Sequence, residues 1–454
     1  MKLNNKINIF LSLSLIVSVI YLLIYNIINY DPLFGYDAEA HHSYIDFIAM
    51  YLPRTLELPT VNSTREFFNP PLPYFFPAFV QLICRNIINA ENLLETCRPV
   101  YGKVTQIFQA VLYLISIFMY LKIVKLIRNE KKFIDFAVLL IFCILTVNYK
   151  TFLMIRGEPY IIFFNSILLY RFLVLSKNSF KHNYKDIIIF GTLIGGLALS
   201  RQWAFLLFPA YFLLIFFIHS SSQKRSYFKF VINSFIIGFL ISSWFYINLF
   251  IEYGSFTAFN QEPSTFNISN QPLSFYLPLG VDISYLFTKP IRPYFSNTFI
   301  PILYSDLWGD YWGYFSFTSK SLSSGRDQML IGDYLAKVNI VSLFPTFLMI
   351  MGVKYSINSS NKLADNLSYF YIYITISVFT TVFGYLWFLI KYPAFPTGDT
   401  IKATYMIQLF HMLSLLSLNY LYKLKEFNPK KYKTFIVILC LIFIHNFKAM
   451  MSHF

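Results

Sequence analysis

The sequence predicts an all-α, polytopic membrane protein with about 11 transmembrane helices. Three observations carry this. Hydrophobic residues make up 56% of the 454 and charged residues only 13%, where a soluble domain carries about a quarter. The apolar residues fall into blocks such as Phe10 to Ile28, Val104 to Leu121, Phe133 to Val147 and Phe435 to Ile444. Basic residues collect in the short segments between blocks, as orientation in a bilayer requires.

Taken in order, the predicted spans are 8–30, 104–126, 133–150, 159–176, 186–200, 202–218, 229–251, 335–353, 368–391, 403–422 and 434–449. The first is long for a signal peptide and lacks a small-residue cleavage site, so it reads as a retained span. With the N-terminus inside, the inner loops fall at 122–132, 171–185, 219–228, 354–365 and 423–433. Together with the N-terminus they hold about 20 of the 37 Lys and Arg residues in well under a third of the length. This pattern accounts for the net charge of +15 without nucleic acid, for which no basic and aromatic recognition motif is present.

Residues 70–99 are apolar at Pro71 to Ile83 but are entered through Asn-Pro-Pro-Leu-Pro and end with Arg85, Glu91, Glu95 and Arg98. Counting them as a span would invert every later loop. They are read as one or two helices at the outer interface. The chain is then one transmembrane domain, 1–454, with outer loops at 31–103 and 252–334. The second loop is rich in Tyr, Phe, Pro and Trp, which suit a membrane interface and also stack on sugar rings. Cys84 and Cys97 can pair if their segment lies outside the cytoplasm; two ordinary buried thiols are the simpler reading.

The charged residues near the outer rim are the candidates for chemistry. Gly35-Tyr36-Asp37-Ala38-Glu39-Ala40-His41-His42 follows the first span, and on a helix Asp37 and His41 share a face. Such a pair can move a proton or bind a cation, or Asp37 can simply cap a helix. Pro70-Pro71-Leu72-Pro73-Tyr74 forces an extended entry into a helix. In Arg156-Gly157-Glu158-Pro159, Glu158 and Pro159 suit a helix start, and an ionisable group at a membrane edge is a functional candidate. Arg201 interrupts two apolar runs, where snorkelling is the bland alternative. Lys402 can meet a phosphate or pair with Asp399. The predicted topology puts Asp37, Glu158, Arg201 and Lys402 on one side.

These pieces, in this order, resemble the GT-C superfamily of membrane glycosyltransferases. The likeness is to the group containing protein O-mannosyltransferases and the lipid A aminoarabinose transferase (glycosyltransferase family 39-like). The acidic motif after the first span matches Asp37-Ala38-Glu39, with Ala38 where a Glu is usual. Pro70-Pro71-Leu72-Pro73-Tyr74, Glu158 before Pro159, and Lys402-Ala403-Thr404-Tyr405 take the places of later motifs. Asn69 stands where a basic residue or Gln often precedes the prolines.

The resemblance implies an inverting transferase that moves a sugar from a polyprenyl-phosphate donor to a lipid, glycan or protein acceptor. Asp37 and Glu158 would be its catalytic residues. Glu39, His41, Arg156, Arg201, Lys402, Tyr405 and Tyr74 would bind substrate, and Asp37, Glu158 and His41 would hold a divalent metal (Mg, Mn or Zn) if one is used. Such a protein is an integral multi-pass protein of the cell membrane in a bacterium, or of the endoplasmic reticulum in a eukaryote, active on the non-cytoplasmic side. The alternative is a transporter or flippase of lipid-linked sugars, which usually carries charged or broken helices at mid-membrane in inverted repeats. Here the charges lie at one rim and no repeat is evident.

Overall fold

The computed structural model describes residues 2–51, 54–55, 57–88, 93–129, 134–277, 282–292, 294–295, 297–316, 325–360, 366–394 and 398–452. Glu91, Lys131 and Lys132 lie outside them. Among the described residues the fold is all helix, without a strand.

The chain rises through α1 (Lys2–Asn29), then forms α2 (Ala38–Tyr51) and α3 (Leu72–Ile87). α4 (Leu93–Arg128), α5 (Phe136–Cys143), α6 (Thr146–Leu153), α7 (Glu158–Lys177) and α8 (Tyr184–Ala198) follow. A 3-10 turn at Gln202–Leu207 leads into α9 (Phe208–Leu213), and α10 (Ser221–Tyr253) closes the first half. Short helices α11 (Leu273–Tyr276), α12 (Tyr285–Thr288) and α13 (Phe299–Trp308) precede the long α14 (Gly325–Ser360). α15 (Asn366–Lys391), α16 (Ile407–Phe427) and α17 (Pro429–His445) complete the bundle.

Among the described residues six helices are long and apolar enough to cross a membrane: Asn8–Asn29, Thr96–Arg128, Glu158–Lys177, Ser221–Tyr253, Ile331–Asn358 and Asn366–Lys391. The chain is thus a polytopic membrane protein, but the expected 11 spans are not all matched. The segment expected at 133–150 is broken: α5 and α6 meet at a bend of 64° and make a seventh span only if the pair crosses together. The segments expected at 186–200, 202–218, 403–422 and 434–449 are helical, yet α8, Gln202–Phe217, α16 and α17 fall short in length or apolarity. Short or polar helices survive here because they pack on neighbours. Gly191 and Gly195 of α8 face Gly238 of α10 so closely that a Cβ on Gly191 would lie 2.7 Å from the Ser234 carbonyl. Small residues let two backbones approach in this way.

The segment 31–103, expected as the first outer loop, contains the helices α2 and α3. α3 is 16 residues long and buries Tyr74, Ala78 and Gln81 while exposing Phe79, Ile83 and Ile87. α4 begins at Leu93, well before the expected 104. Between the two helices Cys84 and Cys97 form a disulfide, with Cα atoms 5.9 Å apart, so they are not the two ordinary thiols of the simpler reading. Cys143 and Cys440 are free. Denatured protein is expected to take up two thiol-reactive labels by mass spectrometry before reduction and four after it. Four labels without reduction would rule the bridge out.

Candidate active site

Five segments converge beside the end of the first span. The turn after α1 bends at Gly35 (φ 133°) and Asp37 (φ 54°). The left-handed region is uncommon for a non-glycine residue, and Asp tolerates it because its short side chain bonds locally. The turn aims the Asp37 carboxylate at Arg65 Nη2, 2.5 Å away, and Lys402 Nζ, 3.7 Å away. Burial alone would raise the Asp37 pKa, but Lys402, Arg65, Arg156 and Arg201 outweigh it and hold the group below the usual carboxylate range.

Glu39, two residues on, faces elsewhere. It binds Arg98 at 2.9 Å, and Arg98 also holds Asp46 at 2.7 Å. Glu39 therefore braces α2 against α4 and is not brought to the Asp37 cluster.

The second ion pair lies deeper. Arg201, extended at the end of α8, places Nε 3.4 Å from Glu158 Oε1 and Nη1 3.5 Å from Glu66 Oε2. Glu158 is the first residue of α7 and is fully buried. Gly157 makes this approach possible, since a Cβ there would stand 2.0 Å from the Ser200 carbonyl oxygen. Gly157→Ala must push the 156–158 turn away from Arg201. The expected result is a loss of about 1–3 kcal/mol of stability together with loss of activity. Unchanged thermal unfolding would show that the two segments do not touch.

Tyr405 joins the two pairs. Its hydroxyl is 3.4 Å from Lys402 Nζ, its ring lies 5.7 Å from the Arg201 guanidinium, and it stacks on Trp203 at 4.9 Å. Lys402 also sits 4.7 Å from the Tyr36 ring. Burial would lower the Lys402 pKa, but Tyr405 and Asp37 raise it above the ordinary lysine value. Arg156 donates to the Tyr36 carbonyl at 3.1 Å.

His41 is buried one turn along α2, with Nδ1 2.7 Å from the Tyr74 hydroxyl and Nε2 4.0 Å from Glu66. Burial, then Arg201 and Arg156, push its pKa well below normal, which makes it a neutral imidazole. Tyr74 itself stacks on Tyr44 at 4.1 Å, so the Pro-Pro-Leu-Pro-Tyr segment docks α3 onto α2. The structure thus brings Asp37, Arg156, Glu158, Arg201, Lys402 and Tyr405 together, with His41 and Tyr74 packed behind.

Four charged residues at or beside this site were not foreseen. Arg65 and Glu66 sit in the predicted first outer loop, just ahead of the proline motif. Glu66 is 3% exposed, accepts from Asn69, and has its pKa raised by burial against the opposing pull of Arg201. Lys150 and Asp306, both fully buried, pair with each other. Asp306 accepts the Ala403 amide at 2.6 Å and the Tyr36 hydroxyl at 3.4 Å, so it holds the neighbours of both Lys402 and Asp37. Lys150 carried a signal that went unused: an isolated lysine in an apolar run.

Among the described residues no group of three or more His, Cys, Asp or Glu side chains is placed to hold a metal. The donor set explains this. Asp37 is gripped by Arg65 and Lys402, Glu158 lies against Arg201, and His41 is turned to Tyr74. The expected metal ligands Asp37, Glu158 and His41 do not fit a divalent ion as arranged here.

The cluster holds three buried cations (Arg156, Arg201, Lys402) and the largely exposed Arg65 beside three carboxyls (Asp37, Glu66, Glu158). Several of its polar atoms are buried without a hydrogen-bond partner: Nε and Nη1 of Arg156, Nη1 of Arg201 and both carboxylate oxygens of Glu158. Such atoms cost free energy until something fills them.

No family model matches the chain, and no curated protein matches it. Among solved structures it is similar to the oligosaccharyltransferase of Archaeoglobus fulgidus, crystallised with a tethered acceptor peptide containing the NVT sequon. The identity is 14% and the TM-score 0.45, over 97% of this chain and 55% of that one. The chain spans about half the length of that structure, and a likeness this distant transfers neither an activity nor a site.

Proposed function

We propose that this protein is an inverting glycosyltransferase that takes a sugar from a polyprenyl-phosphate carrier at the non-cytoplasmic face of the membrane. The observation that carries this reading is the set of buried guanidinium N–H groups of Arg156 and Arg201 that have no hydrogen-bond partner, close to Asp37 and Lys402. An anion belongs there, and a site beside the end of a membrane span favours an anion that arrives on a lipid. The outer placement rests on the charge asymmetry of the loops and on the Cys84–Cys97 disulfide, which persists in an oxidising compartment.

Asp37 accepts the proton of the acceptor hydroxyl. The hydroxyl oxygen forms its bond to the anomeric carbon on the side opposite the phosphate. The bond from that carbon to the phosphate oxygen breaks, and its electron pair leaves with the phosphate. Lys402 and Arg156 meet the developing charge. Glu158 orients the sugar through its unfilled oxygens, and the Arg201 guanidinium lies against that carboxylate. No step runs through a divalent metal.

The test is transfer in lipid nanodiscs from a polyprenyl-phosphate donor with a radiolabelled sugar, in the presence of EDTA. Label is expected to move covalently to an acceptor, with polyprenyl phosphate released and no loss on chelation. Donor crossing a vesicle membrane with its sugar still attached would make the protein a transporter instead. Dependence on added metal would overturn the role given to Lys402 and Arg156.

A further inference from the structure

A cleft of about 500 Å³ opens between the end of α2, the loop 57–63 and the last turns of α10. From α10 it takes Trp244, Asn248 and Glu252, four residues apart and so on one helix face. α2 contributes Phe47 and Tyr51 in the same register, their rings 4.5 Å apart. The loop adds Glu57, Thr60 and Ser63. The Tyr253 hydroxyl accepts the Val61 amide at 3.2 Å and so ties the loop to α10.

The 33 residues of α10 extend about 50 Å at 1.5 Å per residue, well beyond a hydrocarbon core of about 30 Å. Its last turns, which carry Asn248 and Glu252, therefore have room to stand in the headgroup region or in water. Aromatic rings, two carboxylates, an amide and hydroxyls make an unusual lining for a lipid pocket. No basic residue is among the described lining residues, so the cleft repels a phosphate where the Asp37 cluster attracts one. The same loop joins the two places, because Ser63 stands two residues before Arg65, which grips Asp37.

We propose that this cleft binds a carbohydrate, the glycan acceptor of the transfer, with sugar faces against Trp244, Tyr51 and Tyr253 and sugar hydroxyls on Glu57, Glu252 and Asn248. The chemistry of a neutral glycan fits each part. The C–H face of a pyranose is apolar and lies flat on an aromatic ring. Its neighbouring hydroxyls donate to carboxylate oxygens, which accept without donating. The volume falls within the range of small-molecule sites, about 300–1,000 Å³, and leaves room for a short oligosaccharide. Donor and acceptor are then sorted by charge: the anionic lipid phosphate to the cation cluster, the uncharged glycan to the acidic aromatic cleft. The role as acceptor site rests on the transferase reading; the binding of sugar does not.

The experiment measures binding directly. Protein in nanodiscs is titrated with neutral disaccharides of glucose, galactose, mannose and N-acetylglucosamine, followed by ligand-observed NMR. A lysine tetrapeptide serves as the cationic competitor. At least one disaccharide is expected to bind, and Trp244→Ala and Glu252→Gln are each expected to weaken it about tenfold or more. Thermal unfolding checks that both variants are folded; if Trp244→Ala is not, Trp244→Phe together with Glu252→Gln carries the test. Failure of every disaccharide to bind, binding that ignores both variants, or preference for the lysine peptide would overturn the proposal. Sugar binding without any transfer from the lipid donor would leave the cleft standing and remove the transferase reading. Transfer whose acceptor KM is unmoved by the cleft variants would do the reverse.

Discussion

Replacing Asp37 by Asn is expected to lower sugar transfer by about 10²–10⁴-fold, the usual contribution of a positioned general base. The substitution keeps the side chain's shape and removes its charge and its basicity. The carboxylate is only partly buried, Arg65 is largely exposed to solvent and Lys402 keeps Tyr405, so folding should change little. Glu39→Gln is the matched control. Its carboxylate lies on Arg98, which keeps Asp46 when Glu39 is lost, so transfer should stay near the original rate. The acid limb of the rate profile follows from the same groups. Asp37 has a lowered pKa, so it remains ionised, and able to accept a proton, down to a pH below the ordinary carboxylate range. Lys402 has a raised pKa, so its charge persists above the ordinary lysine value. The rate should therefore hold steady across neutral pH and fall only at the extremes. Full activity in Asp37→Asn, or equal damage from Glu39→Gln, would remove Asp37 from the role of base.

The sequence made some of this legible because lone charges are costly near a bilayer and stand out in apolar surroundings. Asp37, Glu158, Arg201 and Lys402 were visible on that ground, and the loop charges were enough to predict one side for all four. The choice between Asp37 and Glu39 was not visible. Two residues apart at a helix start, they are told apart only by the tight turn at Gly35 to Asp37 and by Arg98 arriving from α4. Glu66 looked like an ordinary outer-loop charge until Arg201 was found against it. The expected count of 11 spans is not confirmed, because apolar content does not report length or bends: the break between α5 and α6 falls inside a continuous apolar run. That break matters for the site, since α6 carries Lys150 to Asp306.

Lys150→Met is expected to destabilise the protein by about 3–5 kcal/mol, because it strands the buried Asp306 carboxylate without its cation. Against a typical total of about 5–15 kcal/mol, that is a large share. Burial of both partners is complete, and the remaining bonds to Asp306, from the Ala403 amide and the Tyr36 hydroxyl, do not neutralise a charge. The deficit should be largely repaired in Lys150→Met/Asp306→Asn, where no charge is left to strand and the Asn carbonyl can still accept from Ala403. Activity separates structure from positioning. Asp306 links the backbone next to Lys402 with the ring next to Asp37, so the double variant should unfold at close to the original temperature yet remain slower in transfer, with kcat reduced more than KM is changed. A single Lys150→Met variant as stable as the original protein would mean that the pair contributes no net stability in its buried place. A repaired double variant with full activity would mean that the geometry of Asp37 and Lys402 is set by the helices alone.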